Sequence, residues 1–420
     1  MRHVWIVLFL AVVVACSAPS EVRRPSAPPV PPAPEFHPGV DEVRSIQLYA
    51  EQERNLPVYR LRSGVPLTLE FDILNWNPRP LSVYFYHADR VWRRDLTPGE
   101  YLEAFDRDNL FDYELSRATL VQYSHYRYRF PNAAIAFRLS VNYVLRVTEQ
   151  GKEAEVLFER PFFVTEDVAG TQMHLDLLMT GRLALPAVQP HLLVLPPAEV
   201  GASLFDLSVC FFQGGHILTP RCIQRPSISG QSELLYYLDP EDAYGVRVGD
   251  YYLDLRQLLP RDDIEHVDRA STPYVVHLQP DYARFPDNDW GPLQTGQSVI
   301  SGRDGVADTQ AEYVHVVFHF VPPDGKPLPG GLYVTGSFNG WRVDLGSAMT
   351  WQSDAGQYES RHLIKQGVYE YRYTSPDPEV QRALQVRLLR PDQLYTGLVY
   401  FRDTSLGTDR ILAVSQVFSK

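Results

Sequence analysis

The sequence is poor in cysteine, methionine and lysine, and it carries no recognisable catalytic signature. Of its 420 residues three are Cys and four are Met, and the only lysines are Lys152, Lys326, Lys365 and Lys420. Arginine therefore supplies nearly all the positive charge, and the net charge of −12 argues against nucleic acid or a polybasic membrane-binding patch. There is no Gly-x-Ser-x-Gly elbow, phosphate loop, dinucleotide fingerprint or metalloprotease helix, each of which needs a defined backbone context. The acidic pairs Glu241-Asp242 and Asp262-Asp263 sit in turn-like surroundings and read as solvated surface. No zinc spacing occurs either. His315 and His319 share one face of an expected strand, where packing is the better role. No cofactor, metal or small-molecule substrate is expected, and no enzyme activity. Long apolar helical stretches are scarce as well, whereas aromatic residues reach 12% with 25 Tyr. That balance is typical of β-rich extracytoplasmic proteins.

The strongest local signal lies at the start. Arg2 and His3 precede an apolar run from Val4 to Ala15 that ends at Cys16. The run is shorter than the ~20 apolar residues of a spanning helix and reads as a signal peptide. Val13-Val14-Ala15-Cys16 looks like a bacterial lipobox, which makes Cys16 the lipidated N-terminus after cleavage. The alternative set against it is an ordinary signal peptide with a chance cysteine. Several acyl chains on one residue give stable attachment where one chain is marginal. The proline-rich residues 17–39 lack hydrophobic periodicity and are expected to form an extended tether.

The remainder is too long for one core. Period-two alternation recurs at Leu67, Leu69, Phe71 and Ile73, at Leu81, Val83 and Phe85, and at Tyr143, Leu145 and Val147. One helix interrupts it: Thr97-Pro98-Gly99-Glu100 has capping-box spacing, and the helix is expected to end near Phe105. Strands follow near Leu192–Leu195, Leu207–Phe212, Leu234–Leu238, Tyr251–Leu255 and Tyr274–Leu278. The last block alternates at Val314, Val316, Phe318 and Phe320, then Leu332 and Val334, then Tyr369, Tyr371 and Tyr373, and closes with Leu398–Phe401 and Ile411–Phe418. The expected fold is all-β: three successive immunoglobulin-like β-sandwiches, with one short helix in the first. Their spans are 40–168, 169–290 and 312–420, with a linker at 291–311. Cys210 and Cys222 flank Gly214-Gly215 and Pro220, so either a hairpin-spanning disulfide or two free buried thiols fits. His125 with Asp89 or Asp112 is a candidate acid–base pair, against which stands a satisfied polar network fixing the sandwich register.

From about Val43 onward the chain resembles the plug protein family of the bacterial type IX secretion system, long catalogued as a family of unknown function. In the first block the resemblance rests on His87-Ala88-Asp89-Arg90-Val91-Trp92, on Glu100-Tyr101-Leu102 with Phe105, and on Asp112-Tyr113-Glu114-Leu115-Ser116 with Thr119. It continues through Tyr123-Ser124-His125-Tyr126, Phe130-Pro131-Asn132 and Ser140-Val141-Asn142-Tyr143. Ala88 and Val141 depart from a Cys and a Gly usual in the family. Later segments are Tyr333 to Trp341, with Phe338 and Asn339 inside it, then Lys365 to Tyr371, then Leu398 to Arg402.

The resemblance implies a non-enzymatic secretion component at the outer membrane, lipid-anchored and facing the periplasm. It would bind a very large translocon β-barrel and close its channel. Confinement to the membrane would raise its effective concentration at the barrel mouth. The motif residues are expected to serve structure or interface.

Gly336-Ser337-Phe338-Asn339-Gly340-Trp341 also resembles the start of glycogen-binding modules, where an indole platform stacks on a sugar. Under that alternative the protein is an envelope lipoprotein holding an α-glucan-like polysaccharide through Trp341. Residues Ser375–Gln381 offer no second aromatic for it, and a folding role for Phe338 and Trp341 is the plainer expectation.

Overall fold

The computed structural model describes residues 35–50, 56–180, 185–200, 204–230, 232–245, 248–282, 295–300, 308–384, 386–387 and 393–419. The expected signal peptide with Cys16, the tether up to residue 34 and most of the 291–311 linker lie outside the described residues. No helix among the described residues is long and apolar enough to cross a membrane.

The first sandwich is built from β1 (Val43–Ala50), β2 (Val58–Arg60), β3 (Leu67–Ile73), β4 (Leu81–Ala88), β5 (Arg107–Leu110), β6 (Tyr113–Leu115), β7 (Ser124–Phe130), β8 (Val141–Glu149) and β9 (Val156–Thr165). One sheet runs β1-β3-β7-β6 and the other β2-β9-β8-β4-β5. Alternate residues of each strand meet between the sheets. Phe85 contacts Phe130 at 4.9 Å between ring centroids and Phe71 contacts Phe158 at 4.8 Å. Rings this deep each contribute on the order of 1.5–3 kcal/mol by burial alone.

The helix α1 covers only Pro98–Tyr101, ending short of Phe105. Glu100 reaches back to accept from the Thr97 N–H at 2.7 Å, as a capping box requires. Leu102 then turns extended and bridges Phe137, because Tyr101 is buried and donates its hydroxyl to the Phe85 carbonyl at 2.9 Å. A second helix, α2 (Pro378–Leu384), was not expected. It starts at Asp377, whose carboxylate accepts from the N–H groups of Glu379 and Val380, and it buries Val380 and Leu384.

Beyond β9 the sheets regroup the expected 169–290 and 312–420 segments. One sheet of the second sandwich joins Gly170–Thr180, Leu185–Leu195, Leu234–Tyr237 and Ile228–Ser229, and Tyr244–Gly245 pairs with its second strand. Its facing sheet is ordered Arg221–Ile223, Leu207–Gln213, Leu394–Asp403, Thr408–Phe418, so the hairpin nearest the C-terminus completes it. Leu192, Val209, Phe211, Tyr236, Val399 and Leu412 form the core between them. Cys210 and Cys222 lie directly opposite each other in this sheet and are joined as a disulfide.

The third sandwich lies in sequence between those halves. Its sheets are Tyr251–Asp254, Gly367–Thr374 and Val299–Ile300 with Tyr333–Gly336, and Ile264–Asp268, Val275–Leu278, Tyr313–Val321, Gln357–Lys365 and Thr350–Gln352. Thus the Tyr251 and Val275 strands, expected in the middle block, serve the third core instead, with Leu253, Val276, Phe318, Val334 and Tyr373. Where the insertion enters and leaves, Val248–Gly249 pairs antiparallel with Val386–Arg387.

Candidate functional site

The motif segments converge on the seams that tie the first sandwich to the rest. The first seam is polar and buried. β3 places Glu70 and Asp72 on its outer face, β7 places His125 opposite Asp72, and Tyr313 and Lys365 come from paired strands of the third sandwich. Asp72 is 0% exposed and Lys365 1%. The Lys365 ammonium donates to Asp72 Oδ2 at 2.6 Å, and the Tyr313 hydroxyl donates to the same oxygen at 2.7 Å. His125 Nδ1 meets Asp72 Oδ1 at 2.7 Å, while its Nε2 lies 3.9 Å from Glu70 Oε1. Arg127 Nε and the Tyr49 hydroxyl donate to Glu70 at 2.6 and 2.8 Å. Lys365 also sits over the Tyr123 ring, 4.2 Å from its centroid, and the Tyr123 hydroxyl donates to the Asp308 and Ala311 carbonyls.

Burial disfavours charge on Asp72, Glu70 and His125, yet their partners prevail. Against desolvation, Lys365 and His125 hold the Asp72 carboxyl below its ordinary value, and contacts with His125, Tyr49 and Arg127 bring Glu70 down to about 2. Against the same desolvation, Asp72 and Glu70 raise His125 to about 9. His125 thus pairs with Asp72 and Glu70 rather than with Asp89 or Asp112. Asp112 is exposed, and Asp89 belongs to the second seam.

The second seam joins the first sandwich to the Leu394–Phe418 hairpin. Asp89 folds the turn after β4, accepting from the Val91 and Arg93 N–H groups at 3.0 and 2.8 Å and from Arg93 Nε at 2.8 Å. That turn puts Trp92 at φ 66°, a strained conformation for a bulky residue. Its indole packs beside Phe163, in a cluster with Phe212, Leu398, Tyr400 and Ile411. Arg90 crosses to the second sandwich, its N–H donating to Asp409 at 3.0 Å and its guanidinium to Ser208 at 2.7 Å. Buried Asn142 donates to the Asp89 carbonyl and accepts from the Tyr400 hydroxyl at 2.9 Å. His87 Nδ1 meets Asp95 at 2.8 Å, and the other Asp95 oxygen accepts from Thr408. Burial pushes the His87 pKa down despite Asp95. Arg410 grips Glu166 through two nitrogens and adds Glu199 and Asp403. Arg402 caps the hairpin turn at the Gly407 carbonyl.

The remaining motif residues divide. Tyr126 and Tyr143 are fully buried, and their hydroxyls bond the backbone of Arg79 and Leu139. Ser116 accepts from the Tyr123 N–H, with half-buried Thr119 in the same turn. Phe105 and Tyr113 are 66% and 47% exposed, as is their neighbour Phe111 at 70%.

Trp341 belongs to a third junction, between the second and third sandwiches. Asn339 Oδ1 accepts from the Gly336 N–H and tightens the turn, and Trp341 adopts φ 63°. A Cβ on Gly336 would stand 2.6 Å from the Glu370 carbonyl oxygen, so only glycine fits there. The indole N–H donates to the Gly296 carbonyl at 2.8 Å, Arg372 covers the ring at 4.8 Å, and His216 meets it edge-on at 4.6 Å. Arg372 in turn clasps Asp250. Burial, with nearby Asp250, pushes Glu370 up to about 8, against the Thr295 and Gly296 N–H groups that it accepts from. Trp341 is therefore a member of a seam, not a free-standing platform, and Phe338 packs on the third core.

Sequence reading missed Glu70, Asp72 and Tyr313, and it met Lys365 only as the first residue of a family segment. The available signal was that lysine, one of four in the chain, directly after Leu363 and Ile364.

No curated protein gives a significant match to the chain. Among solved structures, it is similar to a hypothetical protein from Parabacteroides merdae ATCC 43184, with a TM-score of 0.81 at 21% identity, over 91% of this chain and 98% of that one. This likeness establishes the fold. Residues 43–166, the span containing β1 to β9, match the family model described as the type 9 secretion system plug protein first domain.

Proposed function

We propose that this protein is a plug component of the type IX secretion system. It is held at the periplasmic face of the outer membrane by lipidated Cys16 and closes the channel of a large translocon β-barrel without performing chemistry. The observation that carries this reading is the family match over residues 43–166, whose motif residues bolt the first sandwich onto the other two. A blocking protein needs area and rigidity more than a pocket, and a specific interface of this kind buries on the order of 1,200–2,000 Å² or more. The titratable groups of the seams are engaged with one another, which suits a structural body.

Phe105, Phe111 and Tyr113 lie in the matched span yet remain exposed, and they are natural candidates for the contact with the barrel. The test is affinity capture from detergent-solubilised outer membranes with a tagged chain, followed by mass spectrometry. A giant β-barrel protein recovered near stoichiometry, and lost when Phe105, Phe111 and Tyr113 are all changed to Ala without a drop in Tm, is the expected outcome. Reproducible absence of any such barrel from the unaltered chain would overturn the reading.

A further inference from the structure

The second sandwich presents a group of side chains that none of the seams uses. Residues Gly170–Thr180 and Leu185–Leu195 pair antiparallel, with His174 opposite His191 and Asp176 opposite Gln189. The odd-numbered Met173 and Leu175 point to the core, so His174 and Asp176 share the outer face of their strand. Their cross-strand partners share that face too, and the two imidazoles stack with centroids 4.8 Å apart. His191 Nε2 is 3.3 Å from Asp176 Oδ2, and His174 Nε2 is 3.8 Å from Asp176 Oδ1. All three donor groups lie within 4.8 Å of one another.

We propose that His174, Asp176 and His191 bind a divalent transition-metal ion of the zinc type. Tetrahedral bonds of ~2.0–2.1 Å place neighbouring donor atoms roughly 3.3–3.4 Å apart, so one of the observed separations already fits and a small rotation of the other imidazole closes the second. Two imidazoles with one carboxylate favour Zn2+, Co2+ or Cu2+ over Mg2+ and Ca2+, which take all-oxygen sets. The surroundings are partly prepared. His191 stacks on Tyr237, which orients its ring, with centroids 4.8 Å apart. Gln189, anchored by its amide N–H on the Leu238 carbonyl, accepts from His191 Nε2–H at 2.9 Å in the metal-free fold, so binding must shift that proton to Nδ1 or release it. Released from that hydrogen bond, the Gln189 oxygen is free to accept from a metal-bound water. His174 and Asp176 are half exposed, so an ion has direct access. Held across two strands, the ion would cross-link the outer hairpin of this sandwich.

The experiment is a Co2+ titration of the purified full chain, read by visible absorption, followed by displacement with Zn2+. One equivalent of Co2+ with the intense bands of a four-coordinate site, displaced by Zn2+, is expected. Binding should weaken at least ~tenfold in Asp176→Asn and disappear in His174→Ala and His191→Ala. Because the His174 side chain is half exposed, His174→Ala should melt as the parent does in EDTA, which separates ligand loss from misfolding. The proposal is overturned if no ion binds, or if His174→Ala retains Co2+ as well as the unaltered chain does.

Discussion

The two seams around the first sandwich differ in kind. Toward the third sandwich the contact is a carboxylate and an ammonium, both almost wholly out of water, with His125, Tyr313 and Tyr123 around them. Toward the C-terminal hairpin it is an aromatic cluster fringed by arginines that keep some solvent. Desolvating each charge costs several kcal/mol, so a buried pair contributes less net stability than apolar packing but penalises every mismatched partner. The hairpin seam supplies adhesion, whereas the Asp72–Lys365 seam fixes which surfaces meet.

The largest effect that can break this contrast comes from Lys365→Met. It leaves buried Asp72 with only His125 and Tyr313 as partners and should cost about 3 kcal/mol in urea unfolding. Adding Asp72→Asn should restore much of that loss, and a double mutant as unstable as the single would show that the pair matters through packing instead. Next in size is the disulfide: Cys210→Ser with Cys222→Ser removes a short closed loop and should lower stability by about 2–3 kcal/mol. Tyr400→Phe strips the donor from buried Asn142 Oδ1 at the hairpin seam and should cost about 1–2 kcal/mol.

A separate test is the dependence on pH. His125, raised to about 9, contributes stability that is complete below its ordinary value near 6.5 and is lost as pH rises through 9. Glu370, raised to about 8 from an ordinary 4.5, is neutral in the fold while the unfolded chain ionises, so stability also falls between those values. Unfolding at pH 6 and pH 9 should show lower stability at pH 9, and Glu370→Gln should flatten the difference. A rise from pH 6 to pH 9 would contradict both assignments. Glu70 acts at the other end, its contribution present above about 4.5 and lost as pH falls through 2.

Strands were legible because period-two alternation reports which face is apolar, and the pattern of Leu67 to Ile73 marks β3 correctly. The same rule misled for Glu70 and Asp72. It assigns polar residues to water, but all seven residues of β3 are buried, with Tyr313 and Lys365 of the third sandwich over Asp72 and Tyr49 and Arg127 over Glu70. The partner of His125 was not legible either, because the β3–β7 register that sets Asp72 opposite it arises from folding. The nesting of one sandwich in another was equally hidden, since Leu398 to Phe401 is apolar throughout and carries no mark of which strand it pairs with. Of the residues singled out from sequence, Tyr101 is buried in the first core and Asn142 lies at the hairpin seam. Phe105 and Tyr113 were singled out beside them and lie exposed.

The nesting bears on the order of assembly. Leu207–Gln213 must wait for Leu394–Asp403, so a chain delivered from its N-terminus holds an unfinished sheet edge while the whole insertion folds beside it. In the first sandwich, the Arg90 N–H and the Asn142 amide oxygen likewise lack their Asp409 and Tyr400 partners until the same hairpin arrives. The hairpin is thus a clasp that closes last, and a chain interrupted before it would expose two unsatisfied surfaces at once, marking it for aggregation or proteolysis.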